Sequence, residues 1–357
     1  MAPTPMSQPI RIAATSTALP QHEITRDDVK RYFGSTFAID ERRLNAMMSI
    51  VDSAQVRRRF FIHPVDYIIE PRPLATLTRE YQEHSIALGQ RAAEACLLKA
   101  GIAPSDVDLL ITTSCTGFMI PSLDAHLINR MGFRSDVRRL PITELGCAAG
   151  AAALGRSTDF VRAYPDGTAL VVAVELPSLT FQRGDLSQAN LISTILFGDG
   201  AAAAVVTGRP GRGPKILEVA SHLLPDTIDA MGFDLQGDGF HIILSKEVPQ
   251  LIRSRIKQIL CTTLARRGLT TNDVSAFVLH PGGRALLQAI EEELGLTETD
   301  TQPSWHVLRE CGNQSSASVL FVLDEWLYTR GVAPGAYGVL AAFGPGFSAE
   351  TALLQWD

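Results

Sequence analysis

The sequence has little that would suit a membrane protein, a nucleic-acid-binding protein or a disulfide-stabilised protein. No apolar run is long enough to span a bilayer, and residues 1–9 contain three prolines but no apolar core of a signal peptide. The formal net charge is −6 and the pI about 5.8, which does not indicate a nucleic-acid surface. The five cysteines are scattered without Cys-x-x-Cys spacing, as expected in a reducing compartment. We therefore expect a cytoplasmic protein without a membrane span, a nucleic-acid partner or a bound metal.

The sequence does contain a weak internal repeat. Leu97, Gly101, Asp106 and Val107 recur 167 residues later as Leu264, Gly268, Asp273 and Val274. In each copy the glycine is a natural C-cap for a helix, predicted over 86–100 and 251–267, and a buried strand follows at 109–111 or 276–279. Further on, Gly146-Cys147 matches Gly312-Asn313 at an offset of 166, and the predicted strands 169–174 and 336–341 also correspond.

This repeat predicts an α/β protein with two similar halves, residues 1–210 and 211–357, joined by the turn-rich stretch 208–214. If the halves pack about a pseudo-two-fold axis, equivalent positions converge near that axis. Cys147 and Asn313 are such equivalents, and His280 follows a predicted strand at the position equivalent to Thr113. Because α/β sites gather at the carboxyl ends of strands, we expect Cys147, His280 and Asn313 to share one cleft.

Cys147 has the sequence context of a nucleophile. It follows a glycine and opens a run of small residues, which predicts a tight turn leading into a helix. Unpaired N–H groups and the helix dipole favour an anion there, so we expect a lowered pKa for the thiol. The alternative is a small buried hydrophobic residue, the usual role of a free cysteine. We favour that alternative for the other four, which are Cys96, Cys115, Cys261 and Cys311.

His280 and Asn313 each have an ordinary structural interpretation as well. His280 could be a hydrogen-bonded loop histidine, although its place before Pro281-Gly282-Gly283 distinguishes it from the other seven histidines. Asn313 could be a helix N-cap, a role that is compatible with catalysis.

Several motifs resemble those of one enzyme family. Gly146-Cys147, His280-Pro281-Gly282-Gly283 and Gly312-Asn313-Gln314-Ser315 resemble the active-site motifs of thiolase-like condensing enzymes. Leu196-Phe197-Gly198-Asp199-Gly200 is similar to the phenylalanine motif of the chalcone-synthase branch. Phe343-Gly344-Pro345-Gly346-Phe347 resembles that branch's C-terminal signature, with Ala342 replacing its first glycine. The chain thus resembles a type III polyketide synthase from about residue 10 to Trp356.

The resemblance implies a five-layer αβαβα thiolase-like fold, a homodimer, and catalysis on CoA thioesters with no bound cofactor. Cys147 would be the nucleophile, His280 the general base and carbonyl donor, and Asn313 a second donor. Phe197 and Phe240 would be gatekeepers between a CoA tunnel and the cavity. Residues expected to contact substrate are Thr113, Cys115, Met119, Thr180, Ser193 and Ser315.

The sequence departs from the plant members of that family in one respect. Those enzymes contact CoA phosphates through basic residues in an N-terminal segment, whereas the stretch 44–53 here has no lysine or arginine. Arg57, Arg58 and Arg59 follow it and could substitute, although such a run is also typical of a solvated surface.

The implied reaction loads an acyl group from acyl-CoA on Cys147 and extends it with malonyl-CoA by decarboxylative Claisen condensation. The apolar character of Cys115, Phe118, Met119 and Ile120 favours a fatty acyl starter and an alkylpyrone or alkylresorcinol product. A malonyl-only synthase of the tetrahydroxynaphthalene type stays open. So do a third-class ketoacyl synthase with a carrier protein, a Cys–His–Asn hydrolase and a non-catalytic scaffold of the same fold.

Overall fold

The computed structural model describes residues 8–37 and 39–357, so the expected lack of a signal peptide falls largely outside the described residues. The strands are β1 (Arg11–Ala18), β2 (His22–Thr25), β3 (Arg58–Phe61), β4 (Leu109–Thr113), β5 (Arg138–Ile142), β6 (Thr168–Glu175), β7 (Gly200–Thr207), β8 (Lys215–Leu223), β9 (Met231–Gln236), β10 (Gly239–Leu244), β11 (Val274–Leu279), β12 (Tyr337–Gly344) and β13 (Ser348–Gln355). The helices are α1 (Arg26–Thr36), α2 (Glu41–Ser53), α3 (Val65–Ile68), α4 (Leu74–Ala100), α5 (Leu123–Met131), α6 (Ala149–Ala163), α7 (Gln188–Leu196), α8 (Val248–Ala265), α9 (Arg284–Leu294), α10 (Gln302–Cys311) and α11 (Ser318–Glu325). No helix in this part of the chain is long and apolar enough to cross a bilayer.

The strand order shows the internal duplication. Within the described ranges, nine strands form one sheet in the order β11-β12-β13-β8-β1-β7-β6-β4-β5. In the first half β4 runs parallel to β6, and β7 runs antiparallel to both β6 and β1. In the second half β11 runs parallel to β12, and β13 runs antiparallel to both β12 and β8. The pairs β1/β8, β4/β11, β6/β12 and β7/β13 are therefore equivalent.

The three largest apolar clusters of the described residues hold the layers together. On β6, Leu170 and Val172 face one core with helices α4 and α5, whereas Ala169 and Val171 face another. That second core lies between the two halves of the sheet and contains α6 and α11. On β12, Val339 faces the third core, which contains α8 and α9. Because alternate strand residues face opposite sides, each half of the sheet is covered by helices on both faces. The αβαβα thiolase-like fold is confirmed.

The predicted elements differ from the observed ones mainly at the helix starts. Helix α4 begins at Leu74 rather than at residue 86. The prediction missed its first turns because Leu77 and Tyr81 are among the few apolar residues there and give only a weak periodic pattern. Helix α8 begins at Val248 and has Pro249 in its first turn, where proline is well tolerated. Gly101 caps α4 in the left-handed conformation with φ of 66°, as predicted. The stretch 208–214 connects β7 to β8.

Candidate active site

Cys147 lies in a tight turn at the start of α6. Residues Gly146–Ala148 form a short 3₁₀ turn that continues into the helix, and Cys147 is 7% exposed. Gly146 has a φ of +49°, and a Cβ there would lie within 2.9 Å of Pro345 Cγ. Glycine is required on both counts, because other residues disfavour that conformation and have no space beside the proline.

Asn313 occupies the equivalent position in the second half. Its Oδ1 accepts hydrogen bonds from Ser315 N at 2.8 Å and Ser318 Oγ at 3.1 Å, so the side chain caps the turn before α11. Its backbone bridges to the other half, because Asn313 N donates to Leu196 O at 2.9 Å and Gly198 N donates to Asn313 O at 3.1 Å. Asn313 therefore does cap this turn, and the two hydrogen bonds to Oδ1 fix the orientation of its side-chain amide. The amide nitrogen Nδ2 makes one long contact, at 3.5 Å to Gly282 O.

His280 follows β11 directly and is 2% exposed. Its backbone N–H donates to Ala341 O at 2.9 Å, which fixes the residue against the end of β12. Its Nδ1 is buried and has no hydrogen-bond partner in the described part of the chain. The ring is therefore held by packing.

These three side chains line one cavity of about 1010 Å³. The cavity is lined by most of the residues that the sequence predicted, namely Cys147, His280, Asn313, Phe197, Phe240, Cys115, Thr180, Ser193 and Ser315. The convergence follows from the duplication, because α6 and α11 lie side by side between the halves. Cys147 Sγ donates to Ser315 Oγ at 3.3 Å, which connects Cys147 to the Asn313 turn.

Two predicted substrate contacts lie elsewhere. Thr113 ends β4 with its hydroxyl directed at Ser316 Oγ, at 3.0 Å in the protein interior. Met119 packs against the core that contains α4 and α5. The sequence identifies the end of β4 and the loop that follows it as part of the site. It does not show which of their side chains point towards the cavity.

The three arginines after α2 have different environments. Arg57 pairs with Glu310 at 3.2 Å, and Arg58 pairs with Glu310 and Glu23 at 3.0 and 3.1 Å. Arg59 lines the cavity wall but is only 3% exposed, and its guanidinium donates to Ile195 O. Burial lowers the pKa of Arg59 to about 10. All three are thus engaged within the protein, and Arg59 supports α7 rather than facing solvent.

The electrostatics differ from the sequence-based prediction for Cys147. Burial raises the pKa of its thiol to about 12, against a smaller opposing effect of the Ser315 hydroxyl. Burial also lowers the pKa of His280 to about 3. The predicted lowering of the Cys147 pKa is wrong for this arrangement, because the cavity wall dehydrates both groups and favours neutral thiol and neutral imidazole.

Glu175 belongs to a buried polar network behind the cavity wall that the sequence analysis did not predict. It ends β6, is fully buried, and accepts hydrogen bonds from Cys115 N at 3.1 Å and Thr116 Oγ1 at 2.7 Å, and from Ser316 Oγ. Burial raises its pKa. Cys115 Sγ lies 3.6 Å from Glu175 Oε2 and 3.2 Å from Ser315 Oγ, so a polar network joins Glu175 to Cys147. The sequence feature that could have revealed this residue is that Glu175 is the one charged residue of the buried strand β6 and stands at its end.

The fold and this arrangement define a thiolase-like condensing enzyme, which is an acyltransferase. The family of chalcone and stilbene synthases matches the chain with its N-terminal domain at residues 6–210 and its C-terminal domain at residues 215–356. The chain therefore belongs to the chalcone and stilbene synthase family and is a type III polyketide synthase.

Its relatives include bacterial enzymes of known name. A 1,3,6,8-tetrahydroxynaphthalene synthase of Streptomyces peucetius subsp. caesius is 39% identical over 97% of this chain and 93% of its own length. A phloroglucinol synthase of Pseudomonas fluorescens is 33% identical over 94% of this chain and 96% of its own length. The crystal structure of 1,3,6,8-tetrahydroxynaphthalene synthase from Streptomyces coelicolor A3(2) is similar with a TM-score of 0.94 and 35% identity, covering 97% of this chain and 99% of that one.

Proposed function

We propose that this enzyme condenses malonyl-CoA units on Cys147 and cyclises the chain to a polyhydroxylated aromatic of the tetrahydroxynaphthalene type. The observation that carries the proposal is that Cys147, His280 and Asn313 all line one cavity. The names of the relatives support this product class over the fatty acyl product that the sequence favoured.

Cys147 is the proposed nucleophile and His280 its general base. Both groups are neutral in the resting site, so the thiol proton passes to the imidazole as sulfur attacks the thioester and stays there, while the CoA thiolate that leaves takes up a proton from solvent. Malonyl-CoA next loses CO₂ to give an enolate, whose oxygen accepts hydrogen bonds from His280 and from Asn313 Nδ2. Each such donor stabilises the oxyanion by about 3 kcal/mol.

The enolate carbon then attacks the acyl-Cys147 thioester and expels the Cys147 thiolate. That thiolate attacks the extended CoA thioester, and the departing CoA takes up one proton, so each extension consumes a proton and releases CO₂. Asparagine suits the donor role because it does not ionise, whereas a carboxylate at position 313 would repel the enolate.

Phe197 and Phe240 are the proposed gate of the cavity. Phe197 caps α7 beside Asn313, and Phe240 lies on β10 with its ring 5.6 Å from the Phe233 ring. Thr180, Ser193, Cys115 and Ser315 line the same space and supply the polar contacts that we propose for the keto groups of the growing chain.

A fatty acyl starter is the second candidate, and one observation favours it. Part of the cavity wall is aliphatic and aromatic and comes from the N-terminal helices and α7, including Val29, Phe33, Ile68 and Ile192. Such a wall suits an alkyl chain.

Product analysis separates the two candidates. The enzyme is supplied with labelled malonyl-CoA alone, or together with straight-chain acyl-CoA starters of increasing length, and products are identified by mass spectrometry. A malonyl-only synthase forms its aromatic without a starter, and Ile192→Trp leaves that product in place. A fatty acyl enzyme needs the starter, and Ile192→Trp shortens the longest chain accepted, whereas Leu98→Trp at an 83% exposed position changes neither result. Absence of CO₂ release from malonyl-CoA in every mixture contradicts both candidates.

We also propose a cytoplasmic homodimer whose two halves per chain, 1–210 and 211–357, carry Cys147 and the His280–Asn313 pair respectively. Phe118 and Ile120 are 60% and 81% exposed in the loop before α5, an apolar pair that suits burial against a second copy. Sedimentation should give a dimer for the natural chain and a monomer for Ile120→Asp. A monomeric natural chain contradicts the proposal.

A further inference from the structure

One side of the cavity is open to solvent near the start of the second half. Six exposed residues line it there, from the turn before β9, the β9–β10 hairpin, the turn before α8 and the start of α9, and they are Ile228, Asp229, Leu235, Ile243, Lys246 and Ala285. We call these six residues and the cations beside them the mouth of the cavity. Its segments follow Phe240 and His280 closely along the chain. Lys246 lies six residues after Phe240, and Arg284 lies four residues after His280.

Three cationic side chains line the cavity, and two of them are unengaged. Arg59 is buried and donates to Ile195 O. Lys246 and Arg284 have neither an ion pair nor a side-chain hydrogen bond with any residue in ranges 8–37 and 39–357. Lys246 is exposed and Arg284 half-buried, so both can reach solvent at the mouth. Two carboxylates, Glu144 and Asp229, also line the cavity.

The substrate class requires a cationic contact that the N-terminal segment lacks. CoA carries several negative charges on its diphosphate and 3′-phosphate, while its pantetheine arm is uncharged and must extend inward to Cys147. Helix α2 has no lysine or arginine after Arg43, and Arg57 and Arg58 are paired with glutamates. Neither Arg57 nor Arg58 lines the cavity, whereas the cations Lys246 and Arg284 do.

We propose that Lys246 and Arg284 form the phosphate anchor for CoA thioesters in this enzyme. The inference rests on the proposed function, in that CoA thioesters are the substrates. Arg284 offers a planar fork that can bind two phosphate oxygens, and Lys246 adds a mobile charge on a flexible stem. Because both line the same cavity as Cys147, one ligand can contact the anchor with its nucleotide and Cys147 with its thioester.

Direct binding tests the anchor without relying on turnover. Binding of CoA to the full chain is measured by titration calorimetry, with pantetheine as the probe that lacks phosphates. The double variant Lys246→Gln, Arg284→Gln should weaken CoA binding by about tenfold or more and leave pantetheine binding unchanged. The matched control is Arg255→Gln, Lys257→Gln, which removes the same charge from two exposed positions of α8 outside the cavity. In the assay of malonyl-CoA, KM should rise with the CoA dissociation constant while kcat stays near that of the natural enzyme.

The outcomes separate the anchor from the proposed function. Unchanged CoA affinity in the double variant overturns the anchor, and so does an equal loss for pantetheine or for the control. A natural chain that does not bind CoA overturns it as well. Loss of turnover with a malonyl-carrier protein, at unchanged CoA affinity, assigns the two cations to an acidic carrier instead and also refutes the proposal. Weakened CoA binding in an enzyme that makes no ketide supports the anchor and contradicts the proposed function.

Discussion

Gly150 lies where helix α6 closely approaches the turn that carries Asn313. It lies three residues after Cys147 on α6, facing the turn that precedes α11. A methyl group at this position would overlap the carbonyl oxygen of Ser316 and lie 3.3 Å from both the Ser316 carbonyl carbon and Val319 Cγ1. The carbonyl is backbone and cannot rotate away, so Gly150→Ala has to push α6 and the turn apart by about 1 Å.

The expected cost follows from two opposing effects. Replacing glycine by alanine within a helix stabilises it by roughly 0.5–1 kcal/mol, whereas overpacking a closed core costs typically about 1–3 kcal/mol. We expect Gly150→Ala to lower the free energy of unfolding by about 1–2 kcal/mol. Because the shift also separates Cys147 from Asn313, condensation should slow by about 100-fold, as expected for a 1 Å misplacement of reacting groups.

Gly155 on the same helix is the matched control. A Cβ there would meet only Val219 Cβ, at 3.9 Å, which is an ordinary contact. Gly155→Ala should therefore gain roughly 0.5–1 kcal/mol and keep full activity. Urea unfolding and product formation are measured for both variants. If Gly150→Ala is as stable and as active as Gly155→Ala, the close approach does not set the geometry of the site and the reasoning is refuted.

Three further predictions concern the site. Cys147→Ala should abolish condensation, while His280→Gln and Asn313→Ala should each slow malonyl-CoA decarboxylation by about 100-fold; ketide product from the alanine variant of Cys147 would refute the covalent step. Since burial raises the pKa of Cys147 to about 12, its alkylation by iodoacetamide should accelerate about tenfold per pH unit between pH 7 and 9. A plateau near neutral pH would instead reveal a thiolate–imidazolium pair. Buried His280 has a pKa of about 3, below its unfolded value near 6.5, so it stays neutral while the unfolded chain takes up a proton. The free energy of unfolding should thus fall as the pH drops below about 6.5, and it should fall less for His280→Gln than for the natural chain. Thermal unfolding of both proteins at pH 7 and pH 5 checks this, and an equal loss of stability in the two proteins would contradict it.

The duplicated fold and the convergence of Cys147, His280 and Asn313 on one cavity could be predicted from the sequence for a physical reason. Gly146 and Gly312 both have positive φ values, and glycine at such positions leaves a visible mark beside Cys147 and Asn313. The repeat then places these two residues in equivalent positions, and no knowledge of side-chain direction is needed to bring them together.

The rest of the site depends on directions and long-range contacts that no local pattern encodes. Thr113 and Cys115 are two residues apart, yet one bonds to Ser316 in the interior and the other lines the cavity. Arg59 belongs to an arginine run that is typical of a surface, but its strand passes beneath Gly198 and Gly312, where it is buried. The pKa of Cys147 likewise depends on the closure of a wall built from distant segments.

The backbone bridge between Phe197 and Asn313 separates two properties of the enzyme. The hydrogen bonds from Asn313 N to Leu196 O and from Gly198 N to Asn313 O involve main-chain atoms alone, so the Phe197 side chain takes no part in holding the amide. If Phe197 and Asn313 have the proposed roles of gate and donor, a larger or smaller residue at 197 resizes the passage without displacing the donor. Related enzymes that differ at this position can then make different products with the same arrangement of groups for forming carbon–carbon bonds.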